Sequence, residues 1–154
     1  MERKTKLGEG SEFKMGIAEN YQRVRGEIPD DVTIVVAAKT RNAVELATLI
    51  DAGATDIGEN YVQEATVVYN QLGEKAKKVR WHMIGALQKN KINKVLPIFD
   101  VIQTVDSLKL AEAIDKRSDR IVPVYIEINS GKEPQKSGVM PEEAEETIRR
   151  ISHL

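Results

Sequence analysis

Five short apolar segments recur along this sequence with a spacing that limits the folds open to it. They begin at residues 33, 55, 79, 99 and 121, so consecutive segments start 20 to 24 residues apart. A helical pattern follows each segment, and no sequence repeat accompanies the spacing. Such alternation predicts a parallel sheet, either doubly wound or curled toward a barrel. Five units leave both folds open, because a complete eight-stranded barrel takes ~250 residues.

The stretches between the predicted strands carry amphipathic helix patterns with recognisable ends. Pro29 ends the first helix, and Gly53 and Gly73 each follow a helix in the position that favours glycine. Asp106 and Ser107 form the cap of a later helix. The predicted helices cover residues 17–28, 43–51, 61–72, 88–96 and 108–116, and a last helix begins at Pro141.

The first 14 residues differ from the rest of the chain in composition. They have little apolar content and no period, and they precede a second methionine, Met15. Residues 10–13 read Gly-Ser-Glu-Phe, which two adjacent cloning sites would encode. We therefore interpret residues 1–14 as a cloning-derived tail and residues 15–154 as the folded domain.

Lys39 is the first polar residue after the apolar run over residues 32–38. A continuous β-branched run predicts a strand buried on both faces, as in a parallel sheet. Lys39 would then lie at the carboxyl end of a buried strand, where α/β folds hold ligands. A lysine desolvated there loses proton affinity and can form a Schiff base. The alternative is a strand-terminal lysine that points into solvent.

Composition excludes several classes of function. The 154 residues include 23 basic and 24 acidic ones, so no net field recruits nucleic acid or an anionic membrane. Cysteine is absent, which removes disulfides, thiolate metal sites and cysteine nucleophiles and predicts an intracellular, cytoplasmic protein. No apolar run approaches the ~20 residues of a membrane span.

Polar residues collect at the predicted carboxyl ends of the strands. Those ends meet at one rim of a parallel sheet, so the residues can line a single pocket. Strand ends also border loops, which are polar in any protein, and this is the alternative interpretation. The residues are Lys39, Glu59, Asn60, His82 with Gly85, Thr104, Asn129 and Ser130.

His82 and the loop after the fifth strand have less specific signals. A histidine inside an apolar strand is most often a hydrogen-bonded core residue. The only other histidine, His153, lies at the end of the sequence, so we predict no metal site. The loop over residues 132–138 is polar and turn-like, and it is able to act as a lid or an anion contact.

Several sequence blocks together resemble the pyridoxal phosphate homeostasis proteins. The resemblance runs in order from about Ile17 to the last residue, and its second and third blocks are specific. The blocks are VAAKT at 36–40, IGENYVQE at 57–64, RWHMIG at 80–85 with LQKNK at 87–91, VDS at 105–107 and KSGV at 136–139.

The resemblance implies an α/β fold, a partial (β/α) barrel of the alanine racemase N-terminal type, with about five parallel strands. It implies a pyridoxal 5′-phosphate cofactor held as a Schiff base on Lys39. Asn60, His82 and Ile84 match positions near the cofactor in such barrels. Members of this family are regarded as carriers or regulators of the cofactor pool, so no catalytic residue is expected.

The sequence also departs from the family pattern. Ala86 replaces the histidine that is usual after the glycine of the third strand. The family continues for about three more βα units and builds its phosphate cup there, so we expect a truncated barrel with weak cofactor affinity. Uncovered sheet edges would make such a chain self-associate.

Two alternative functions stay open at this point. The first is a racemase-like enzyme or a Schiff-base aldolase that uses Lys39, because the same lysine supports both chemistries. The second is a barrel fragment that has lost cofactor binding.

Overall fold

The computed structural model describes residues 16–154, so the predicted tail over residues 1–14 lies outside the described residues. Helices and strands alternate along this part of the chain as predicted. The helices are α1 (Ile17–Glu27), α2 (Ala43–Asp51), α3 (Val62–Leu72), α4 (Ile92–Val95), α5 (Leu108–Asp115) and α6 (Ala144–Ile151). The strands are β1 (Val35–Ala37), β2 (Asp56–Glu59), β3 (Arg80–Met83), β4 (Val101–Val105) and β5 (Val124–Ile126). Short 3₁₀ helices cover Gly73–Lys78, Lys89–Lys91 and Pro141–Glu143.

The five strands form one parallel sheet in the order β1-β2-β3-β4-β5. A doubly wound sheet reverses its strand order at a switch point, whereas a barrel adds each new strand beside the last. The sequential order therefore favours the barrel over the doubly wound sheet. The sheet does not close within the described residues, so β1 and β5 are its two edges.

The helices cover one face of the sheet, here called the outer face, and the main core lies between them and the strands. Ile57, Trp81 and Ile102 on that face are fully buried. The Trp81 indole N–H donates to the Ala76 carbonyl at 2.9 Å, and its ring lies 5.4 Å from the ring of Tyr69. Burial of large side chains on this face fixes the register of the strands, and the register determines which residues lie on the opposite, inner face.

Local signals in the sequence placed the ends of α1, α2, α3 and α5 to within one residue. The helix predicted over residues 88–96 is α-helical only at Ile92–Val95, and the last α-helix starts at Ala144 after a 3₁₀ turn from Pro141. Asn42 caps α2 by accepting a hydrogen bond from the Glu45 amide at 3.0 Å, and the Glu45 carboxylate accepts one from the Asn42 amide. The Ser107 hydroxyl caps α5 in the same manner. Gly53 and Gly73 follow their helices with φ of 96° and 56°, a backbone region that glycine adopts without strain.

The two edge strands differ from the prediction. The expected burial of β1 on both faces is wrong, because Val35 and Val36 are half-buried and Ala37 is exposed. Within residues 16–154 the strand has a neighbour on one side only, and no element covers its inner face. The fifth strand was predicted over residues 121–129 but keeps only three residues. Pro123 has no N–H to donate, and the chain leaves the ladder before Ile128, which pairs instead with Val139.

Exposed apolar side chains concentrate near the β5 edge. Of the eleven large apolar side chains that are exposed in the described chain, six follow residue 120. They are Ile121, Tyr125, Ile128, Met140, Ile148 and Leu154. This end of the sheet therefore presents more apolar surface to solvent than the β1 end.

Candidate functional site

The carboxyl ends of β1 to β4 meet at one rim of the sheet. The Ala38 amide donates to the Gly58 carbonyl at 2.8 Å, and the Ile84 amide donates to the Glu59 carbonyl at 3.0 Å. The Thr104 hydroxyl, in turn, donates to the Gly85 carbonyl at 2.7 Å. Residues that are 19 to 25 positions apart in sequence are thereby joined at one edge, as the parallel sheet requires.

Gly85 is the point where two strand ends approach most closely. A Cβ atom built on Gly85 would lie 2.2 Å from the Asn60 carbonyl oxygen and 2.8 Å from the Asn60 Cα. No side chain fits that distance, so glycine is required by the approach of the two backbones. The Asn60 side chain, half-buried, has no hydrogen-bond partner among residues 16–154. Its amide is thus available to a ligand at the rim.

The inner face directly below the rim is apolar. Ile84 extends across β2, and a Cβ on Gly58 would lie 2.9 Å from Ile84 Cδ1 and 3.1 Å from Val35 Cγ1. Because Gly58 has no side chain, Ile84 can lie over β2 and approach the side chain of Val35 on β1. Val35, Gly58 and Ile84 therefore form a surface that we call the apolar floor.

A buried polar cluster lies one layer deeper on the same inner face. His82 Nε2 and Asp56 Oδ1 are 2.8 Å apart, and the Gln103 amide nitrogen lies 3.0 Å from His82 Nδ1. Since an amide nitrogen can only donate, Nδ1 is the acceptor and Nε2 carries the proton that Asp56 accepts. His82 is thus the hydrogen-bonded core histidine that its place in an apolar strand predicts, and both ring nitrogens are occupied.

Asp56 is the centre of this cluster and is 1% exposed. Burial alone would raise the pKa of its carboxyl, but three hydrogen-bond donors outweigh burial and hold that pKa below its ordinary value. The donors are the Thr55 hydroxyl, the His82 ring and the Arg80 guanidinium. Sequence reasoning missed Asp56 and Gln103. The only sequence signal for these two residues was that each is polar and lies inside an otherwise largely apolar strand.

Glu59 lies on the outer face and has the opposite environment. It is 1% exposed, and its Oε2 atom has no hydrogen-bond partner in the described chain. Burial raises the pKa of the Glu59 carboxyl to about 7. The charge of Glu64 adds to this rise, and a hydrogen bond from the Asn60 backbone N–H opposes it. Glu59 was predicted as a rim residue, but its side chain lies beneath the helices and not on the inner face.

Lys39 lies in the turn that follows β1 and is exposed. The predicted desolvation of its amine is therefore wrong within residues 16–154, because β1 is an edge strand and no described element packs over its end. Lys39 makes no ion pair with any other residue of the 16–154 region. Strand alternation carries Val35 and Ala37 to the inner side, and Lys39 follows in the turn after the strand.

The fifth strand end does not contribute its polar residues to the rim. Asn129 is buried, and its side-chain amide donates to the Glu133 and Lys136 carbonyls at 2.8 and 3.3 Å. These bonds fold the loop over residues 130–138 back onto Asn129. Lys136 in this loop pairs with Glu133 at 2.6 Å. The structure thus brings Lys39, Asn60, Ile84 and Thr104 to one rim, sets His82 below them and leaves Asn129 apart.

Residues 16–154 show neither a metal-binding cluster nor a membrane-spanning helix. No group of three or more histidine, cysteine, aspartate or glutamate side chains is placed to hold a metal ion there. Over the same residues, no helix combines the length and the apolar character that a membrane crossing needs.

Comparison with known proteins identifies close relatives by sequence. Residues 15–154 match the family model described as alanine racemase, N-terminal domain. A pyridoxal phosphate homeostasis protein from Escherichia coli K12 is 35% identical to this chain, over 90% of this chain and 65% of the relative. The chain therefore spans 65% of the length of that curated relative.

Solved structures agree with the sequence comparison. PipY from Synechococcus elongatus, solved without PLP, has a TM-score of 0.83 at 30% identity, over 90% of this chain and 65% of PipY. The same protein with PLP bound has a TM-score of 0.76. An alanine racemase from E. faecalis has a TM-score of 0.69 at 14% identity, over 89% of this chain and 38% of the racemase, a likeness that shows the fold alone. The partial barrel of the alanine racemase N-terminal type is thereby confirmed.

Proposed function

The chain belongs to the alanine racemase N-terminal domain family, and we propose that it binds pyridoxal 5′-phosphate through a Schiff base on Lys39, with a role in homeostasis of that cofactor. The observation that carries the proposal is the position of Lys39, which follows β1 at the rim and whose amine makes no ion pair within the described chain. A 35% identical relative is named for pyridoxal phosphate homeostasis, and a 30% identical one has been solved with PLP bound.

The residues at the rim fit a flat aromatic aldehyde. The apolar floor of Val35, Gly58 and Ile84 suits one face of a pyridine ring, since the ring removes apolar surface from water on both partners. The side-chain amide of Asn60 is the polar group beside the floor that has no hydrogen-bond partner in the described chain. His82 lies beneath the floor, so its contribution is to keep the inner face packed.

Lys39 supplies the reacting atom. Its amine must be unprotonated to attack the aldehyde carbon, and its nitrogen then replaces the aldehyde oxygen, which leaves as water. When bound, the cofactor supplies an electron-withdrawing ring, which is the source of all chemistry at such sites.

We infer that the chain holds the cofactor without catalysing a reaction of its own. Racemisation needs a second proton-transferring group that faces the bound substrate. His82 is the nearest candidate on the inner face, but Asp56 and Gln103 occupy both of its nitrogens. Glu59 has the raised pKa of a general acid or base, yet it lies on the outer face beneath the helices. A racemase-like or aldolase-like enzyme is therefore the second candidate function.

Borohydride trapping tests the proposal. The protein is incubated with pyridoxal 5′-phosphate, reduced and mapped by peptide mass spectrometry. We expect the label on Lys39 and its loss in Lys39→Ala, while Lys109→Ala, which removes another exposed lysine, stays labelled. Label spread evenly over surface lysines would refute a specific site. Conversion of one alanine enantiomer into the other by the loaded protein would favour the enzymatic alternative.

A further inference from the structure

Thr40, the residue after Lys39, has an unusual backbone conformation. Its φ is 67°, in the left-handed region that glycine and asparagine adopt with little strain. Threonine is branched at Cβ, and branched residues are among the least suited to this region. Among residues 16–154, the only other non-glycine residue with positive φ is Lys132.

Thr40 holds the third position of a tight turn over residues 38–41. The Arg41 amide donates to the Ala38 carbonyl at 2.9 Å and closes the turn. Positive φ at the third position is typical of a type II turn, in which that residue is usually glycine. Lys39 is the second residue of the same turn, so the strained peptide and the proposed Schiff-base lysine are direct neighbours.

Both ends of this turn are fixed by other parts of the fold. Ala38 is fully buried, and its amide donates to the Gly58 carbonyl on β2 at 2.8 Å. Asn42, one residue past the turn, is the N-cap of α2. The chain must therefore pass from β1 to α2 in a few residues whose two ends cannot shift. These anchors hold the two ends of the turn, and the conformation of the residues between them depends on the residues themselves.

The side chain of Thr40 does not compensate for the strain. Thr40 is exposed, and its hydroxyl has no hydrogen-bond partner within the 16–154 region. Glycine at this position would remove the strain without loss of any observed contact. Strained residues that persist in proteins cluster at sites of function, where a rigid geometry is useful.

We propose that Thr40 is a positioning residue, one whose stiff left-handed backbone holds the Lys39 backbone in the conformation from which the amine reaches the aldehyde. The inference rests on the proposed function, because it needs a ligand that reacts with Lys39. A glycine at position 40 has many accessible conformations, so the turn would then sample geometries in which Lys39 lies away from the apolar floor. The branched side chain of threonine excludes most of these geometries.

The experiment compares Thr40→Gly with Thr40→Val in the full chain. Valine keeps the branch and removes the hydroxyl, so it is the matched control. We measure the rate at which the Lys39 Schiff base forms with pyridoxal 5′-phosphate, by absorbance and borohydride trapping, and the urea midpoint of each variant. Fixing the backbone of one residue is worth a factor of about five to ten, so we expect Thr40→Gly to slow the reaction by about that factor.

The expected pattern separates positioning from stability. Thr40→Gly should unfold at the same or a higher urea concentration than the parent while reacting more slowly, and Thr40→Val should react within about twofold of the parent. A Thr40→Gly variant that reacts at the parental rate would overturn the inference, and so would a Thr40→Val variant that is equally slow. If Thr40→Gly does not fold, Thr40→Asn, which also tolerates positive φ, is measured against the same expectations. A parent that carries no label on Lys39 would instead overturn the proposed function.

Discussion

Replacing Glu59 with glutamine should stabilise the protein at alkaline pH and have little effect at acidic pH. The Glu59 carboxyl is 1% exposed, and its Oε2 atom lacks a partner in the described chain. Burial raises its pKa from 4.5 to about 7. Glutamine has nearly the same shape and is uncharged at every pH, so it resembles the protonated form of the native residue.

The direction of the pH effect follows from proton binding. Between pH 4.5 and about 7 the folded state holds a proton on Glu59 that the unfolded state has released. Raising the pH through this interval therefore destabilises the native protein, and above about pH 7 the loss is complete. At ~1.36 kcal/mol per pKa unit, the loss amounts to about 3 kcal/mol. Glu59→Gln should escape that loss, so its advantage grows from near zero at pH 4.5 to about 3 kcal/mol at pH 8.

Urea unfolding at a series of pH values measures this difference. Trp81 is the only tryptophan of the chain and is buried, so its fluorescence reports unfolding. Other groups titrate equally in both proteins, so the difference between variant and native chain isolates Glu59. Glu64→Gln is the control, because removing that neighbouring charge should lower the pKa of Glu59 and so make the destabilisation smaller and complete at a lower pH. A stability difference that is constant from pH 5 to 8.5 would refute the reasoning, since it would mean that Glu59 titrates normally.

Three further predictions concern backbone approach, association and affinity. Gly85→Ala should lower the free energy of unfolding by about 1–3 kcal/mol or more, because the new Cβ meets backbone atoms. Gly58→Ala should lower it less, because the new Cβ meets the ends of side chains, and Gly26→Ala, with open space around it, should raise it by up to ~1 kcal/mol. A different ranking in thermal unfolding would contradict these contacts. Light scattering at low micromolar concentration should give a mass above that of one chain, because β1 and β5 are unpaired edges; a clean monomer would mean that both are covered within the chain. Titration with pyridoxal 5′-phosphate should give weak binding, because Lys39 is exposed and residues 16–154 place no element over it, and sub-micromolar affinity would contradict that expectation.

The order and type of the secondary structure elements were predictable because local signals determine them. Helix periodicity, the Ser107 cap and the terminal glycines act over a few residues, and each agrees with the observed element. The extent of the edge strands was not predictable in this way. Whether a strand is buried on both faces depends on which elements lie beside it, and an apolar run such as residues 32–38 does not contain that information.

The candidate site was predictable in its location and not in its internal arrangement. Parallel strands put their carboxyl ends together, so Lys39, Asn60 and Thr104 could be assigned to one rim from the predicted strands, whereas Ile84 followed from the resemblance alone. The bonds from His82 to Asp56 and Gln103 join three strands, and the pairing depends on register. Register is fixed by packing of the outer face, which no short segment of sequence specifies.

The two least favourable local features described above lie close together, on either side of Ala38. The strained residue Thr40 is two positions after Ala38 in sequence, and Glu59 follows Gly58, whose carbonyl accepts the hydrogen bond from the Ala38 amide. Each could be relieved by a conservative change, glycine at 40 or glutamine at 59, without loss of an observed side-chain hydrogen bond. Elsewhere in the described chain the buried side-chain polar atoms are hydrogen-bonded. Selection for stability alone would remove a strained residue, so strain directly after Lys39 is what a requirement at that lysine would retain.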